Sequence, residues 1–176
     1  GETDHRGPVS SRTLKKQIGR TAILRSQVKL SALMERKLRE GIAEERIFVT
    51  GNTVIDALLQ VADRPYTFEE EPLVSLDFEK KRVITVTCHR RENQGERMDN
   101  IFGAIADIAR EFDDVEIVYP VHLNPVVQEL ARKHLAGMDN VHLIEPLTYL
   151  PFVHLMARSH LIITDSGGMQ EEAPAL

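Results

Sequence analysis

The sequence predicts an α/β fold in which helices cover both faces of a parallel sheet. From Arg46 onward, short runs rich in Val, Ile and Thr alternate with longer amphipathic stretches, as in repeated strand–helix–strand units. The short runs show little alternation of apolar and polar residues, which is typical of strands buried on both faces. Gly, Pro, Asn or Asp separates one run from the next and marks the turns.

The strands and helices follow from these runs in chain order. Five strands are predicted: Arg46–Thr50, Arg82–Thr87, Glu116–Pro120, Val141–Ile144 and Leu161–Thr164. Four helices are predicted between and beside them: Thr53–Ala62, Asp99–Phe112, Pro125–Ala136 and Leu150–Arg158. Asn52 and Asn124 each precede a helix as a side-chain cap, and Pro151 falls in a first turn, where proline is tolerated. In the second helix one apolar stripe is expected to face the sheet: Ile101, Ile105, Ile108 and Phe112.

Two further segments have less regular patterns. Leu30–Arg39 is predicted to be a short helix that ends at Gly41. Asp63–Lys81 is polar and contains Pro65, Pro72 and three consecutive glutamates, so it is predicted to be a surface excursion or linker.

Composition excludes several classes of protein. Of 176 residues, 42% are apolar and 28% are charged, which is typical of a globular chain. Without a long apolar run or a signal-peptide core, we expect a soluble cytoplasmic protein with no membrane partner. The single cysteine, Cys88, excludes an intrachain disulfide, and no metal or cofactor is expected. The formal net charge of −5 does not suit nucleic-acid binding. The basic stretch Arg12–Lys37 could form a nucleic-acid-binding face, but its sparse aromatic residues and the absence of a binding motif favour a solvated helical face.

Candidate ligand-binding residues follow the predicted strands, because ligands of open parallel sheets bind beyond the strands' carboxyl ends. After Thr164 comes a turn with two glycines, whose backbone N–H groups could approach a phosphate; a plain tight turn is the alternative. Glu171 and Glu172 point about 100° apart on a helix, too far to share one substrate atom. They would stabilise the helix N-terminus, or Glu172 would bind sugar hydroxyls.

The loop after the Arg82–Thr87 strand combines a histidine with arginines. His89 and Arg90 could complement phosphate charge, whereas Cys88 is predicted to be packed rather than nucleophilic. His122 reaches the same edge, either as an ordinary loop histidine or as a ligand-binding group. Phe152 either stacks on a base or belongs to the core. The other histidines are interpreted as structural: His134, His142, His154 and His160.

Five motifs in this order resemble those of the bacterial non-hydrolysing UDP-N-acetylglucosamine 2-epimerases. The matching segments are Arg46–Asp56, Thr87–Asn93, Tyr119–Pro125, Tyr149–Phe152 and Asp165–Pro174. The resemblance covers about Leu38 to Leu176 and implies a GT-B architecture, in which two Rossmann-like domains enclose the sugar nucleotide. Residues 52–176 are then an incomplete carboxyl-terminal UDP-binding domain, and residues 1–51 a remnant of the amino-terminal domain.

The resemblance also implies roles for individual residues. His89 is implied as a catalytic residue near the phosphates, and Arg90 and His122 as part of a second, regulatory substrate site. UDP is implied to contact six residues: Ser166, Gly167 and Gly168 at the diphosphate, Glu172 at the ribose, and Leu147 and Phe152 at the uracil. The catalytic carboxylates of the family lie upstream, and none can be assigned among Glu2, Asp4, Glu35 and Glu40.

The implied reaction is reversible inversion at C2, giving UDP-N-acetylmannosamine by elimination and re-addition of UDP. It needs no cofactor and is expected from a homodimer that supplies cell-surface polysaccharide biosynthesis. Two alternatives keep the fold: the UDP-sugar-binding half of a GT-B glycosyltransferase, or a nucleotide-binding fragment without turnover. A third is a chain that is incompletely folded on its own.

Overall fold

The computed structural model describes residues 35–46 and 52–176. The chain divides into two units, Gly1–Asn52 and Thr53–Leu176. In the described part of the first unit, residues 35–39 are helical and Glu44–Arg46 forms a 3-10 helix. Gly41 has a φ of +79° and donates its N–H to Leu38 O at 3.0 Å, so this helix ends where predicted. The remainder of the predicted strand Arg46–Thr50 lies outside the described residues.

The described part of the second unit contains four strands and five α-helices, with two short 3-10 helices at Arg91–Asn93 and Ala173–Ala175. The strands are β1 (Arg82–Thr87), β2 (Val115–Pro120), β3 (Val141–Ile144) and β4 (Leu161–Thr164). The helices are α1 (Thr53–Ala62), α2 (Glu96–Glu111), α3 (Pro125–Leu135), α4 (Tyr149–Arg158) and α5 (Met169–Glu172). The predicted bounds of β1, β3, β4 and α1 are confirmed to the residue. The Asn124 side chain caps α3 as predicted, because its Oδ1 accepts the Val126 N–H at 3.0 Å.

The four strands form one parallel sheet in the order β3-β2-β1-β4. β1 therefore has a neighbour on each side, and its last residue, Thr87, pairs with Thr164, the last residue of β4. This order brings the loops that follow β1 and β4 together at the carboxyl edge of the sheet.

Helices cover both faces of this sheet, which confirms the predicted fold class. On one face α2 and α3 pack on Ile84, Ile117 and neighbouring side chains, and on the other Leu155 of α4 packs on Val83 and Val118. The predicted stripe on α2 faces this core: Ile105 is buried in it, and Ile101, Ile108 and Phe112 are partly buried against it. Four further residues of α2 are buried, so the buried face is wider than the stripe: Met98, Phe102, Ala106 and Ala109.

The segment predicted to be a surface linker, Asp63–Lys81, instead supplies part of the core. Phe68 and Leu73 are 4% and 1% exposed and pack with Leu155 of α4 on the second face of the sheet. The prediction was wrong because polar residues and prolines dominate the composition, although most of the few apolar side chains pack against the core. We call this segment the strap.

Candidate functional site

A cavity of about 270 Å³ opens at the carboxyl edge of the sheet. The loops that follow all four strands contribute to its lining. Five of the predicted site residues line it: His89, His122, Leu147, Phe152 and Ser166. Phe152 also packs against the buried cluster that contains Leu58 and Val153, so this ring both lines the cavity and contacts the core.

Two histidines stack at the mouth of this cavity. The rings of His89, after β1, and His122, after β2, lie 5.2 Å apart between centroids with an interplanar angle of 7°. His122 Nδ1 accepts the Asn124 N–H at 3.1 Å, so the neutral ring carries its proton on Nε2 and can donate from that atom. The stack therefore joins a predicted catalytic residue to a predicted regulatory one.

The two glycines of the turn after β4 provide space for neighbouring side chains rather than unusual torsion angles. Gly168 has φ −62° and ψ −49°, and the positive-φ glycines among the described residues lie elsewhere. A Cβ on Gly167 would lie 3.2 Å from Arg90 Nη2, and one on Gly168 would lie 3.7 Å from Glu172 Oε1. Arg90 and Glu172 thus both lie close to this turn. The helix that follows, α5, has only four residues, so backbone N–H groups rather than a long helix dipole are available to an anion.

Asp165 is the site residue that sequence reasoning missed. Its side chain is 9% exposed, and its carboxylate accepts N–H groups from His89, at 3.1 Å and 3.2 Å to its two oxygens, and from Arg90 at 2.8 Å. Asn93 Nδ2 donates to it at 2.9 Å. Burial raises the pKa of this carboxyl, but the hydrogen bonds from Arg90, Asn93 and His89 outweigh burial and hold the pKa below its usual range. Asp165 is therefore ionised at neutral pH.

Cys88 and Tyr119, which also line the cavity, are not suited to acid–base or nucleophilic chemistry near neutral pH. The Cys88 thiol is 3% exposed, and burial together with the Asp165 carboxylate raises its pKa to about 12. Its prediction as a packed residue is confirmed. Burial also raises the pKa of Tyr119, whose hydroxyl donates to Cys88 O.

The four histidines interpreted as structural lie away from this cavity. His134 and His142 pair with Asp99 at 2.6 Å and Glu116 at 2.8 Å, and the buried His154 stacks on Tyr66. Across residues 35–46 and 52–176, no group of three or more His, Cys, Asp or Glu side chains is placed to hold a metal ion. No helix in the same ranges is long and apolar enough to cross a membrane.

Comparison with known proteins identifies related chains. The family model described as UDP-N-acetylglucosamine 2-epimerase matches residues 26–176. The chain is 52% identical over 139 residues to the UDP-N-acetylglucosamine 2-epimerase of Bacillus subtilis, covering 79% of this chain and 36% of the relative. A putative epimerase of Clostridium acetobutylicum is 50% identical over 139 residues, with the same coverage. This chain thus spans little more than a third of the length of these relatives.

Solved structures show the same similarity. A putative UDP-N-acetylglucosamine 2-epimerase from Listeria monocytogenes superposes with a TM-score of 0.72 at 45% identity, covering 81% of this chain and 37% of that one. The UDP-GlcNAc 2-epimerase from Neisseria meningitidis, solved with UDP-GlcNAc bound, gives a TM-score of 0.68 at 41% identity, with 80% and 39% covered.

Proposed function

This chain belongs to the UDP-N-acetylglucosamine 2-epimerase family, and we propose that residues 53–176 bind the UDP moiety of UDP-N-acetylglucosamine. In the whole protein this binding serves reversible inversion at C2 to UDP-N-acetylmannosamine. The observation that carries the proposal is the cavity at the carboxyl edge of the sheet. It gathers His89, Leu147 and Ser166 from loops that are distant in sequence, together with Phe152 of α4.

The chemistry of the cavity fits the parts of UDP. Leu147 and Phe152 offer an apolar, aromatic wall for the uracil ring. The Ser166–Gly168 turn offers a hydroxyl and backbone N–H groups to the diphosphate, and the guanidinium of Arg90 lies beside it. Glu172, whose carboxylate lies close to Gly168, would accept hydrogen bonds from ribose hydroxyls.

In the proposed reaction a base removes the C2 proton, the C1–O bond breaks and UDP leaves, so that a glycal remains. Re-addition of UDP, with proton delivery to the other face of C2, completes the inversion. Negative charge accumulates on the departing diphosphate, and His89 would stabilise it there as a hydrogen-bond donor. Arg90 and His122 would also serve a second, regulatory substrate, whose phosphates would contact the ring stacked on His89.

Proton NMR of this chain with UDP-N-acetylglucosamine in heavy water tests the proposal. We expect the uridine resonances to broaden on binding. Exchange of the C2 proton for deuterium, with the manno epimer appearing, would show turnover by the chain itself. Broadening without exchange would favour a UDP-binding unit without turnover, and absence of both would contradict the proposal.

A variant pair makes the binding test specific. Phe152→Ala should weaken UDP binding by about 5- to 100-fold, because stacking of a base on an aromatic ring contributes about 1–3 kcal/mol. Tyr149→Ala is the matched control, since Tyr149 lies on the same helix, is half exposed and does not line the cavity. Equal affinities of the two variants would count against the assigned uracil site.

We further propose that the protein acts as a cytoplasmic homodimer with a UDP-sugar as its small-molecule partner. Light scattering after size-exclusion chromatography tests the assembly. A monomer at micromolar concentration would contradict it.

A further inference from the structure

The pairing of β1 with β4 is extended beyond the ends of both strands. At the last paired position the hydroxyls of Thr87 and Thr164 lie 2.7 Å apart, and the Asp165 N–H donates to Thr87 O at 3.2 Å. Asp165 is the next residue, where strand pairing has stopped. Its carboxylate continues the connection by accepting the backbone N–H groups of His89 and Arg90.

Four donors to this carboxylate come from one loop. His89, Arg90, Asn93 and, at 3.5 Å, the Cys88 thiol belong to the segment that follows β1, 72 to 77 positions away in sequence. A buried carboxylate is stable only when such donors satisfy it. The carboxylate therefore depends on this loop: displacing the loop leaves a largely buried charge without its donors.

The same carboxylate stands directly before the turn proposed to hold the diphosphate. A bare negative charge there would repel an anion, but the charge of Asp165 is directed into N–H donors of the neighbouring loop. Held in this way, the loop presents the His89 ring to the cavity and keeps Arg90 Nη2 3.2 Å from the Cβ position of Gly167.

We propose that Asp165 is a positioning residue: its carboxylate sets where His89 and Arg90 stand relative to the Ser166–Gly168 turn. The part of this inference that concerns the diphosphate rests on the proposed function. Asp165 need not touch the ligand to act in this way, since it holds two residues that face it.

Amide hydrogen exchange of the 176-residue chain tests the positioning without any ligand. In Asp165→Ala the Arg90 amide should lose its protection, and the His89–His122 ring contact should disappear from nuclear Overhauser spectra. Amides within β1 and β4 should stay protected. Asp165→Asn, which keeps one acceptor oxygen, should restore part of the Arg90 protection. An Arg90 amide that stays protected in Asp165→Ala would overturn the proposal, and so would loss of protection throughout both strands.

Titration with UDP and with uridine separates positioning from a general loss of structure. Asp165→Ala should weaken UDP binding by about tenfold or more and leave uridine binding within about twofold, with Asp165→Asn between Asp165→Ala and the unsubstituted chain. Asp114→Asn is the matched control: it makes the same change to a carboxylate that pairs with Arg82 at the opposite end of the sheet. Its affinities for both ligands should not change.

The two proposals fail separately. A parallel fall in UDP and uridine affinity would overturn the positioning role, because a merely structural residue has that effect. If the unsubstituted chain binds neither ligand, the proposed function fails, and the exchange measurement still decides whether Asp165 holds the loop.

Discussion

Phe68→Ala should destabilise the second unit as strongly as truncation of a central core residue, although Phe68 lies in the strap. The ring is 4% exposed, stacks on Phe78 at 5.4 Å between centroids and meets Tyr66 edge-on at 5.4 Å. The Arg158 guanidinium lies 4.8 Å from its centroid. Truncating a buried Phe to Ala costs about 3–5 kcal/mol in unfolding free energy. The additional ring and cation contacts place the expected loss at about 4 kcal/mol.

Urea denaturation followed by circular dichroism measures this loss. With a denaturant slope of about 2 kcal/mol per molar urea, a loss of about 4 kcal/mol lowers the midpoint by about 2 M. Val74→Ala is the matched control, because Val74 belongs to the strap but is 51% exposed and should change the unfolding free energy by less than about 0.5 kcal/mol. If both variants shift the midpoint equally, the strap is not part of the core and the reasoning is refuted.

Three further predictions concern other described residues. Burial, and then the positive charge of Arg158, lowers the pKa of His154 in the folded chain. As the pH falls, His154 is therefore protonated more readily in the unfolded chain than in the folded chain. Stability should therefore fall as pH drops below about 6.5, and urea midpoints at two pH values should show a smaller fall in His154→Phe. Because the pKa of Cys88 is about 12, Ellman's reagent should label the thiol only after unfolding, and rapid labelling of the native chain would contradict this. Gly167→Ala should weaken UDP binding about tenfold through contact with Arg90, whereas Gly168→Ala, whose Cβ would lie 3.7 Å from Glu172 Oε1, should have a smaller effect in the same titration.

The sheet could be predicted from sequence because its strands are short, rich in β-branched residues and bounded by turn residues. The bounds of β1 and β4 follow from that pattern alone. Helix α2 begins three residues before its predicted start. The prediction missed this first part because Glu96 and Arg97 are polar and do not belong to the apolar period of the helix. The strap could not be predicted in the same way. Its core residues are few and irregularly spaced, so only packing on the completed sheet reveals them.

Sequence predicted those residues of the candidate site whose location depends only on following a strand. His89, His122 and Ser166 each follow a strand, and the parallel arrangement brings all three to one edge.

Asp165 follows a strand too, yet the same rule does not say whether its carboxylate faces the ligand or the adjacent loop. The donors that decide this question include two backbone amides, which have no sequence signature, and they lie 75 and 76 positions upstream. The consecutive residues Asp165 and Ser166 therefore have different roles at the end of β4: Ser166 lines the cavity, and the carboxylate of Asp165 holds the loop after β1. A substitution at either position should weaken binding of the diphosphate, but only one at Asp165 should also release the amide of Arg90.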